Sequence, residues 1–389
     1  MAVLLIAAVW LLAPAVHAQQ PAADWIRVAV VENDPQVELE IHGHFKVLAL
    51  QTGDPVQEGR RLQLMAVRGT PQGLSFGDSL LPWAGVRVEP LEDATISLNG
   101  IRLRGTLEII RRDDLSLLVV NYVLLEDYLR GVLSKEAPDY WPPEALKAIA
   151  IAARTYALYQ RLTKEGLGFD VTGNVLSQLY GGKTGEKDST DQAVKSTRGS
   201  ILVYHGRVFP AFYHSTCGGL TENGRVMGAY DIEPLQGGQL CRFCSASPFY
   251  RWRRWLTNAD VNWALRKSAF GTIGAIRNVQ VTKRTASGRA EQITISGADR
   301  TLRMSGYDFR ALFGFERIRS PMVSITPHGE GFVIEGQGWG HGVGLCQWGA
   351  AELARRGVSA PEILSYYYPR TAVVNLNDFT GRPMNVIQE

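Results

Sequence analysis

Two side chains near the middle of the chain are suited to proton transfer or ion pairing: the carboxylate of Glu136 and the guanidinium of Arg154. Glu136 is predicted to lie on a short loop between an apolar strand that begins at Tyr128 and Pro142-Pro143, a pair suited to the start of a helix. The helix that follows is apolar on nearly every side, which indicates burial, so Arg154 within it needs an anionic partner. Glu136 is the nearest carboxylate on an irregular segment that must face this helix. The two residues form either a structural ion pair or part of a site in which one carboxylic acid transfers protons.

The chain contains four cysteines, whose spacing indicates a second candidate centre. Cys241 and Cys244 are separated by two residues, as in a metal-binding knuckle, and His214 stands three residues before Cys217. Cys346 is the fourth. In an exported chain an even number of cysteines also permits two disulfides, so a zinc site and a pair of disulfides are the alternatives. A zinc ion held by four protein ligands would be closed to water and structural.

A glycine-rich stretch near the carboxyl end, GQGWGHGVGLCQWGA, is the third candidate. Alternating glycines permit backbone conformations that other residues resist, and such turns, which here place His341 and Gln347 at a helix start, often line sites. The run lacks the G-x-G-x-x-G spacing of a dinucleotide site. The segment SQLYGGKT, which contains Tyr180, lacks the first glycine of a phosphate-binding loop, because Ser177 stands there. Neither type of nucleotide site is favoured.

The elements that must position these residues are a mixture of helices and strands. From Trp25 to about Leu118, short β-rich segments alternate with turn residues, as in all-β modules. Apolar periodicity, start signals and stop signals predict helices over 143–164, 189–197, 258–268, 307–313, 345–356 and 360–367. The predicted fold class is α+β, with a central buried helix packed on β-strands and a β-rich N-terminal region before it.

Length and composition set the frame for this architecture. With 389 residues and 45% hydrophobic content, the chain can bury a large core and form more than one domain. The net charge of +3 and the absence of a Lys- or Arg-rich block do not favour nucleic acid as a partner. Residues 1–18 have the apolar core and small-residue cleavage site of a signal peptide, and are too short to span a bilayer. An uncleaved membrane anchor is the alternative.

These observations predict an exported protein of the periplasm or cell envelope, without membrane attachment after signal cleavage. The predicted division is a signal peptide over 1–18, a β-rich N-terminal region over 19–103, a core over 104–375 and a C-terminal tail over 376–389.

Several motifs together resemble the stage II sporulation protein D (SpoIID) and amidase-enhancer LytB family of bacterial cell-wall proteins. They are LEDYL, Glu136 before Ala-Pro, WPPEALKAIAIAARTYAL, HSTCGGLTE and GHGVGLCQWGA, in matching order and spacing from about Arg104 to about Tyr368. The resemblance implies a lytic transglycosylase that cleaves peptidoglycan glycan strands, in particular strands stripped of stem peptides, with one glutamate as catalyst. That glutamate corresponds to Glu136. The family's ART arginine and EALKA lysine correspond to Arg154 and Lys147, which with Tyr180, His341 and Gln347 are the candidate substrate contacts.

The sequence departs from the family pattern at three positions. Ala137 replaces the usual methionine after the catalytic glutamate, and Cys217 and Cys346 replace two serines. Because two distant positions become cysteine in a chain that also contains CRFC, they are expected to meet in space. The favoured zinc set is Cys217, Cys241, Cys244 and Cys346, with His214 as the alternative ligand. The resemblance implies a structural role for this metal and none in the chemistry.

One glutamate is sufficient for the implied reaction. A transglycosylase closes the sugar's own hydroxyl onto the anomeric carbon and needs no water nucleophile, so one carboxyl group first donates and then accepts a proton. Apolar neighbours, expected to be Val132, Leu133, Ala137 and Tyr140, should raise the pKa of Glu136. Arg154 would lower that pKa, so it is expected to contact substrate, or Glu136 only obliquely. The substrate cleft is expected to be lined by the Glu136 loop, the HSTCGG turn and the GHGVG turn.

Two other functions are consistent with the sequence. A noncatalytic module could bind glycan and stimulate a separate cell-wall amidase, as family members named amidase enhancers imply. A zinc hydrolase with His214 or His341 as ligand is the other, although the chain has no H-E-x-x-H motif.

Overall fold

The computed structural model describes residues 25–384, except 165, 167, 175, 176 and 229. The predicted signal peptide over 1–18 lies outside the described residues. Within them the chain forms mixed sheets and helices, which confirms the predicted α+β class. No helix in this described part has both the length and the hydropathy that a membrane crossing requires.

A large and mainly antiparallel sheet comes first. Its strands alternate buried and exposed positions, as in β2, where Val37, Leu39 and Ile41 are buried and Glu38 is exposed. The strands are β1 (Trp25–Asp34), β2 (Gln36–Ala49), β3 (Pro55–Thr70), β4 (Gly73–Phe76), β5 (Ser79–Leu81), β6 (Gly85–Pro90), β7 (Thr95–Leu98), β8 (Ile101–Leu103), β9 (Thr106–Arg111), β10 (Leu117–Leu124) and β11 (Val171–Thr172). Their main order is β11-β1-β10-β9-β6-β2-β3-β4-β5. The sheet is continuous across residue 104, and the domain boundary predicted there stays a prediction.

Three helices come after β10, namely α1 (Leu125–Glu136) and α2 (Pro143–Thr163) before β11, and α3 (Asp188–Ser196) after it. The prediction of a strand and loop leading to Glu136 is wrong, because residue 125 begins a helix whose apolar positions Leu125, Tyr128 and Leu129 have helical spacing. Glu136 is the last residue of α1. The helix ends there because Pro138 keeps the residue before it out of the α conformation.

Helix α2 is buried along most of its length, as its apolar surface predicts. It packs against α1, α3 and two later helices. The six predicted helices are all present, with ends that differ by at most two residues from the predicted ones. Two short strands come after α3, namely β12 (Ser200–Val203) and β13 (Tyr213–His214).

Residues 251–337 form an inserted unit with its own hydrophobic core, which includes Leu256, Ile293, Phe309 and Ile334. Its elements are β14 (Arg251–Thr257), α4 (Asn258–Arg266), β15 (Ile276–Arg284), β16 (Ala290–Gly297), β17 (Thr301–Met304), α5 (Gly306–Phe313), β18 (Val323–His328) and β19 (Gly331–Gln337). The first and last strands pair antiparallel, so that Arg251 lies opposite Gln337. The chain thus leaves and re-enters the rest of the protein at one place.

After the inserted unit, the chain forms two helices that pack against α2. The remaining elements are β20 (Leu345–Cys346), α6 (Gln347–Arg355), α7 (Ala360–Tyr367) and β21 (Ala372–Asn375). Strand β20 pairs in parallel with β13, which sets His214 opposite Cys346. This pairing joins the HSTCGG segment to the glycine-rich turn.

Candidate functional site

A cavity of about 330 Å³ contains Glu136 in its wall. The predicted HSTCGG and GHGVG segments meet there, because His214, Ser215, Gly340 and His341 line the same cavity. Gly340 is required for this approach, since a Cβ atom at its position would lie 2.6 Å from the Cβ atom of His214. Other lining side chains are Tyr156, Phe212, Tyr213, Trp339 and Gln347.

The carboxylate of Glu136 is held by two neutral donors. The backbone N–H of Leu179 donates to Oε1 at 3.1 Å, and the side-chain amide of Gln347 donates to Oε2 at 3.2 Å. Glu136 forms no ion pair with any residue that the structure describes. Its position at the end of α1 and that of Gln347 at the start of α6 are therefore fixed relative to each other by direct contact.

The pKa of Glu136 is raised above its usual value because burial penalises the charged carboxylate. The hydrogen bonds from Leu179 and Gln347 act in the opposite direction and are the smaller effects. The predicted direction is confirmed, but the predicted neighbours are not the ones that line the cavity. Tyr140 is 75% exposed, and apolar surface comes instead from the lining aromatic rings.

Arg154 does not contact Glu136. Its guanidinium is fully buried and makes two hydrogen bonds of 2.8 Å to the carboxylate of Glu126, one from Nε and one from Nη2. It also donates to the backbone carbonyls of Val194 and Ser200. The expectation that Arg154 contacts substrate is contradicted, because a buried guanidinium with these partners has no surface left for a ligand. The need for an anionic partner was predicted correctly, and the partner is Glu126.

Lys147 and Tyr180 also lie away from the cavity wall. Lys147 forms an ion pair of 2.7 Å with Glu144, whose other oxygen accepts from the backbone N–H of Ala360 at 2.8 Å. Tyr180 is 9% exposed and donates its hydroxyl to Asn121 at 3.1 Å. In this structure both residues tie neighbouring elements together, and neither is among the residues lining the cavity of Glu136.

His341 lies in the cavity wall as a neutral imidazole. The backbone N–H of Val343 donates to Nδ1 at 3.0 Å, so the proton is on Nε2, which donates to the carbonyl of Tyr213 at 3.0 Å. Burial, together with the nearby His214 and Arg310, holds the pKa of His341 well below its usual value. His341 is therefore a fixed wall of the cavity without a free ring nitrogen.

His214 differs from His341 in having one unused nitrogen. Its Nδ1 donates to the carbonyl of Val343 at 3.0 Å, which leaves Nε2 as an acceptor. That buried atom has no hydrogen-bond partner among the described residues. Burial, with a contribution from Arg289, lowers the pKa of His214 to about 3. This neutral acceptor therefore has room for a donor from a water or another polar group.

The four cysteines are brought together, as predicted. All four are buried and free, and their sulfur atoms lie within 4.8 Å of one another. Two sulfurs accept backbone hydrogen bonds, Cys346 from the N–H of Cys217 at 3.3 Å and Cys217 from the N–H of Gly219 at 3.4 Å. His214 is not part of this group. A zinc ion with bonds of about 2.3 Å has ligand sulfurs about 3.8 Å apart, so the group fits a tetrahedral four-sulfur site.

Comparisons with known proteins give a family for the chain. The model described as stage II sporulation protein (SpoIID) matches residues 113–204, and a model for a domain of unknown function (DUF8618) matches residues 243–344. An uncharacterized protein of Brachyspira hyodysenteriae is 33% identical over 90% of this chain and 93% of its own length. Stage II sporulation protein D of Bacillus subtilis is 29% identical over 68% of this chain and 78% of its length. The amidase enhancer of the same organism is 27% identical over 64% of this chain and 40% of its length.

The chain belongs to the SpoIID/LytB family. The matched SpoIID region contains Glu136 and its helix, whereas the second match includes all of the inserted unit.

Sequence reasoning missed the contribution of the inserted unit to the cavity of Glu136. Tyr307, Arg310, Phe315 and Glu316 from this unit line the same cavity as Glu136. Arginine in an amphipathic helix such as DFRALF normally reads as a solvent-facing residue, so no local signal pointed to Arg310. The backbone N–H of Leu179 donates to Glu136, and the identity of a side chain does not predict a backbone contact of this kind.

Proposed function

We propose that this protein has a cell-wall remodelling role and is a lytic transglycosylase that cleaves peptidoglycan glycan strands. Glu136 is its acid and base. The observation that carries the proposal is the environment of Glu136, a carboxyl group in a cavity wall with a raised pKa and only neutral hydrogen-bond partners. A nearby cation would favour the charged carboxylate, whereas burial without one raises the pKa of Glu136 and favours the protonated acid that proton donation requires.

In the proposed reaction the Glu136 carboxyl group protonates the glycosidic oxygen, and the bond from that oxygen to the anomeric carbon breaks. The sugar's own 6-hydroxyl oxygen then bonds to the anomeric carbon, and the hydroxyl proton passes to the Glu136 carboxylate. Glu136 regains its proton, no water is consumed, and one product ends in an anhydro-sugar.

Gln347 can bond Glu136 in both protonation states. Its amide NH₂ donates to the carboxylate at 3.2 Å, and after a half-turn of the amide its carbonyl oxygen can accept from the carboxylic acid. Glu136 can therefore keep its hydrogen bond with Gln347 when its carboxylate gains a proton.

A second carboxylate in the cavity wall makes hydrolysis the competing chemistry. Glu316 lines the cavity but is exposed and makes no hydrogen bond to Glu136. Hydrolysis by a pair of carboxylates would give ordinary reducing ends, because water supplies the nucleophile.

Mass spectrometry of the products from peptide-free glycan strands tests the proposal. We expect anhydro-terminated fragments from the wild type and from Glu316→Gln, and none from Glu136→Gln. Reducing ends that disappear in Glu316→Gln would establish hydrolysis instead. The absence of fragments from the folded wild type would overturn the enzymatic proposal.

The similarity to the amidase enhancer of Bacillus subtilis favours a second candidate function. In that case the protein binds glycan strands and stimulates a separate cell-wall amidase, and Glu136 takes no part in chemistry. Retained glycan binding, amidase stimulation by both the wild type and Glu136→Gln, and no released anhydro-sugar would support it. Either function requires export to the periplasm or cell envelope, for which we propose residues 1–18 as the signal peptide.

We also propose that Cys217, Cys241, Cys244 and Cys346 hold one structural zinc ion. The support is that their sulfurs form a single buried group, whereas two disulfides would need two separate pairs. Zinc bound there supplies no chemistry to the cavity, since four sulfur ligands leave no open position for water. Cys346 directly precedes Gln347, so the sulfur group would anchor the residue that bonds Glu136.

Metal analysis of the purified protein tests this site. We expect one zinc per chain in the wild type, loss of zinc and of thermal stability in Cys244→Ser, and no zinc loss in His214→Gln. Four cysteines that resist thiol labelling in the absence of zinc, and become reactive only after reduction, would establish disulfides and overturn the zinc proposal.

A further inference from the structure

The inserted unit places a buried cation in the wall of the Glu136 cavity. Arg310, on α5, is 4% exposed and lines this cavity together with Glu136. Its Nε donates to the carbonyl of Ile318 at 3.0 Å, and its guanidinium carbon lies 4.8 Å from the centre of the Phe315 ring. These contacts hold the side chain in place and leave the outer edge of the guanidinium for other partners.

No anion among the described residues neutralises this guanidinium. Arg310 forms no ion pair there, and neither of its Nη nitrogens has a hydrogen-bond partner in that part of the chain. The two carboxylates of the cavity wall do not serve, since Glu136 is bonded to Leu179 and Gln347 and the exposed Glu316 does not pair with Arg310. A buried cation without an anionic partner is costly.

The other buried arginines differ from Arg310 in that the protein supplies partners for their outer nitrogens. Arg154 is fully buried as well, but Glu126 binds two of its nitrogens. Arg289, which is 2% exposed, forms no ion pair with a described residue, but its Nη atoms donate to the carbonyls of Leu220 and Cys217. At Arg310 both Nη atoms lack a partner among the described residues and the side chain lines a cavity, which favours an anionic ligand there.

We propose that Arg310 binds the free lactyl carboxylate of a muramic acid residue in a peptide-stripped glycan strand. This inference rests on the proposed function. A guanidinium presents two parallel N–H donors that match the two oxygens of a carboxylate, which a single ammonium does not. On a peptide-free strand the lactyl group is the sugar-borne anion, and it becomes a neutral amide wherever a stem peptide is attached.

Arg310 is therefore a specificity-determining residue. The same cavity wall supplies Glu136 for proton transfer and Arg310 for recognition of the stripped sugar. The neutral His341 beside them offers no competing cation, since both of its nitrogens are bonded to the protein. The reaction that must supply the substrate is hydrolysis of the amide bond between the lactyl group and the stem peptide.

Binding measurements on the Glu136→Gln protein separate recognition from cleavage. One ligand is a glycan oligomer with free lactyl carboxylates, the second is the same oligomer with each carboxylate converted to the neutral methylamide, and the third carries stem peptides. We expect the free carboxylate form to bind roughly 10- to 100-fold more tightly than the other two, the range for a hydrogen bond to a charged group.

Substitution of Arg310 should remove this preference. Arg310→Gln is expected to bind all three oligomers with the same weak affinity, and Arg310→Lys, which keeps the charge but not the paired donors, to retain part of the preference. Arg303→Gln is the matched control, because Arg303 is exposed on β17 of the same unit. The unfolding temperature of each variant shows whether it folds. If Arg310→Gln does not fold, binding by Arg310→Lys still tests whether Arg310 causes the preference for the free carboxylate.

The outcomes distinguish this inference from the proposed function. Two results would overturn the inference alone. One is equal binding of the carboxylate and methylamide oligomers by the Glu136→Gln protein in which Arg310 is intact. The other is an unchanged preference for the carboxylate oligomer after Arg310→Gln or Arg310→Lys. Tight binding of the peptide-bearing oligomer would also overturn it, because Arg310 would then bind a peptide carboxylate. Failure of the wild type to bind or cleave any oligomer would overturn the proposed function and this inference together.

Discussion

Replacement of Arg154 by methionine should destabilise the fold without a specific effect on cleavage. Two hydrogen bonds of 2.8 Å join the guanidinium to Glu126, and Arg154 has no exposed surface. Among the described residues, Arg154→Met leaves the Glu126 carboxylate with one hydrogen-bond donor, the backbone N–H of Gly199 at 3.2 Å. Removing one partner of a fully buried ion pair costs about 3–5 kcal/mol in the free energy of unfolding, and because the Glu126 side chain is 21% exposed we expect Arg154→Met to fall at or below the lower end of that range.

Denaturant unfolding of a double-mutant cycle measures this cost. Arg154→Met and Glu126→Gln should each lower the free energy of unfolding, and the double variant should be more stable than the sum of the two losses predicts, by about 1–3 kcal/mol. Cleavage per folded molecule should be unchanged in all three variants. An Arg154→Met protein that unfolds at the wild-type denaturant concentration but no longer cleaves glycan would refute the structural role and restore a substrate role for Arg154.

Two further predictions concern Glu136. Because the folded-state pKa of Glu136 is raised, ionisation of this group destabilises the fold as pH rises above about 4, the usual unfolded-state value. Unfolding measured from pH 3 to pH 7 should show Glu136→Gln gaining stability over the wild type as pH rises, and a constant difference would contradict the raised pKa. Gln347→Leu removes a hydrogen bond that lowers the pKa of Glu136. The pH at which cleavage is lost on the alkaline side of the pH–rate profile should therefore be higher in this variant. An unchanged or lower midpoint would contradict the effect of Gln347 on the pKa of Glu136.

The convergence of the site could be predicted from sequence because motif order and chemistry agree. The cysteine replacements predict that Cys217 and Cys346 meet, and the structure places their sulfurs in one group. The glycines of the GHGVG turn predict unusual backbone conformations, and Gly340 has a φ of +112°. The requirement that Arg154 have an anionic partner also followed from the burial of its helix alone. Such predictions succeed where burial, or a backbone conformation that only glycine adopts readily, restricts a residue to few environments.

The failures have a common physical cause in tertiary context. The sequence does not identify Glu126 as the partner of Arg154, because the segment from Tyr128 to Glu136 is predicted as a strand and loop, whereas the helix that forms over 125–136 places Glu126 against α2. The position of Arg310 in the cavity depends on how the inserted unit packs beside Glu136. The hydrophobic periodicity of α5 does not determine that packing. Only long-range packing decides which of many arginines lies in the cavity.

The pairing of Arg251 with Gln337 has a consequence for how such proteins can diversify. Both ends of the inserted unit lie side by side on neighbouring strands, so a change in its length or sequence does not separate the two points at which it joins the rest of the chain, whereas the hydrogen bonds from Arg289 to the carbonyls of Cys217 and Leu220 have to be kept. Its own core, centred on residues such as Phe309, lets it change in sequence without disturbing α1 or α2. Changes within the unit can therefore alter the part of the cavity wall that it supplies, which includes Arg310, while Glu136 stays at the end of α1.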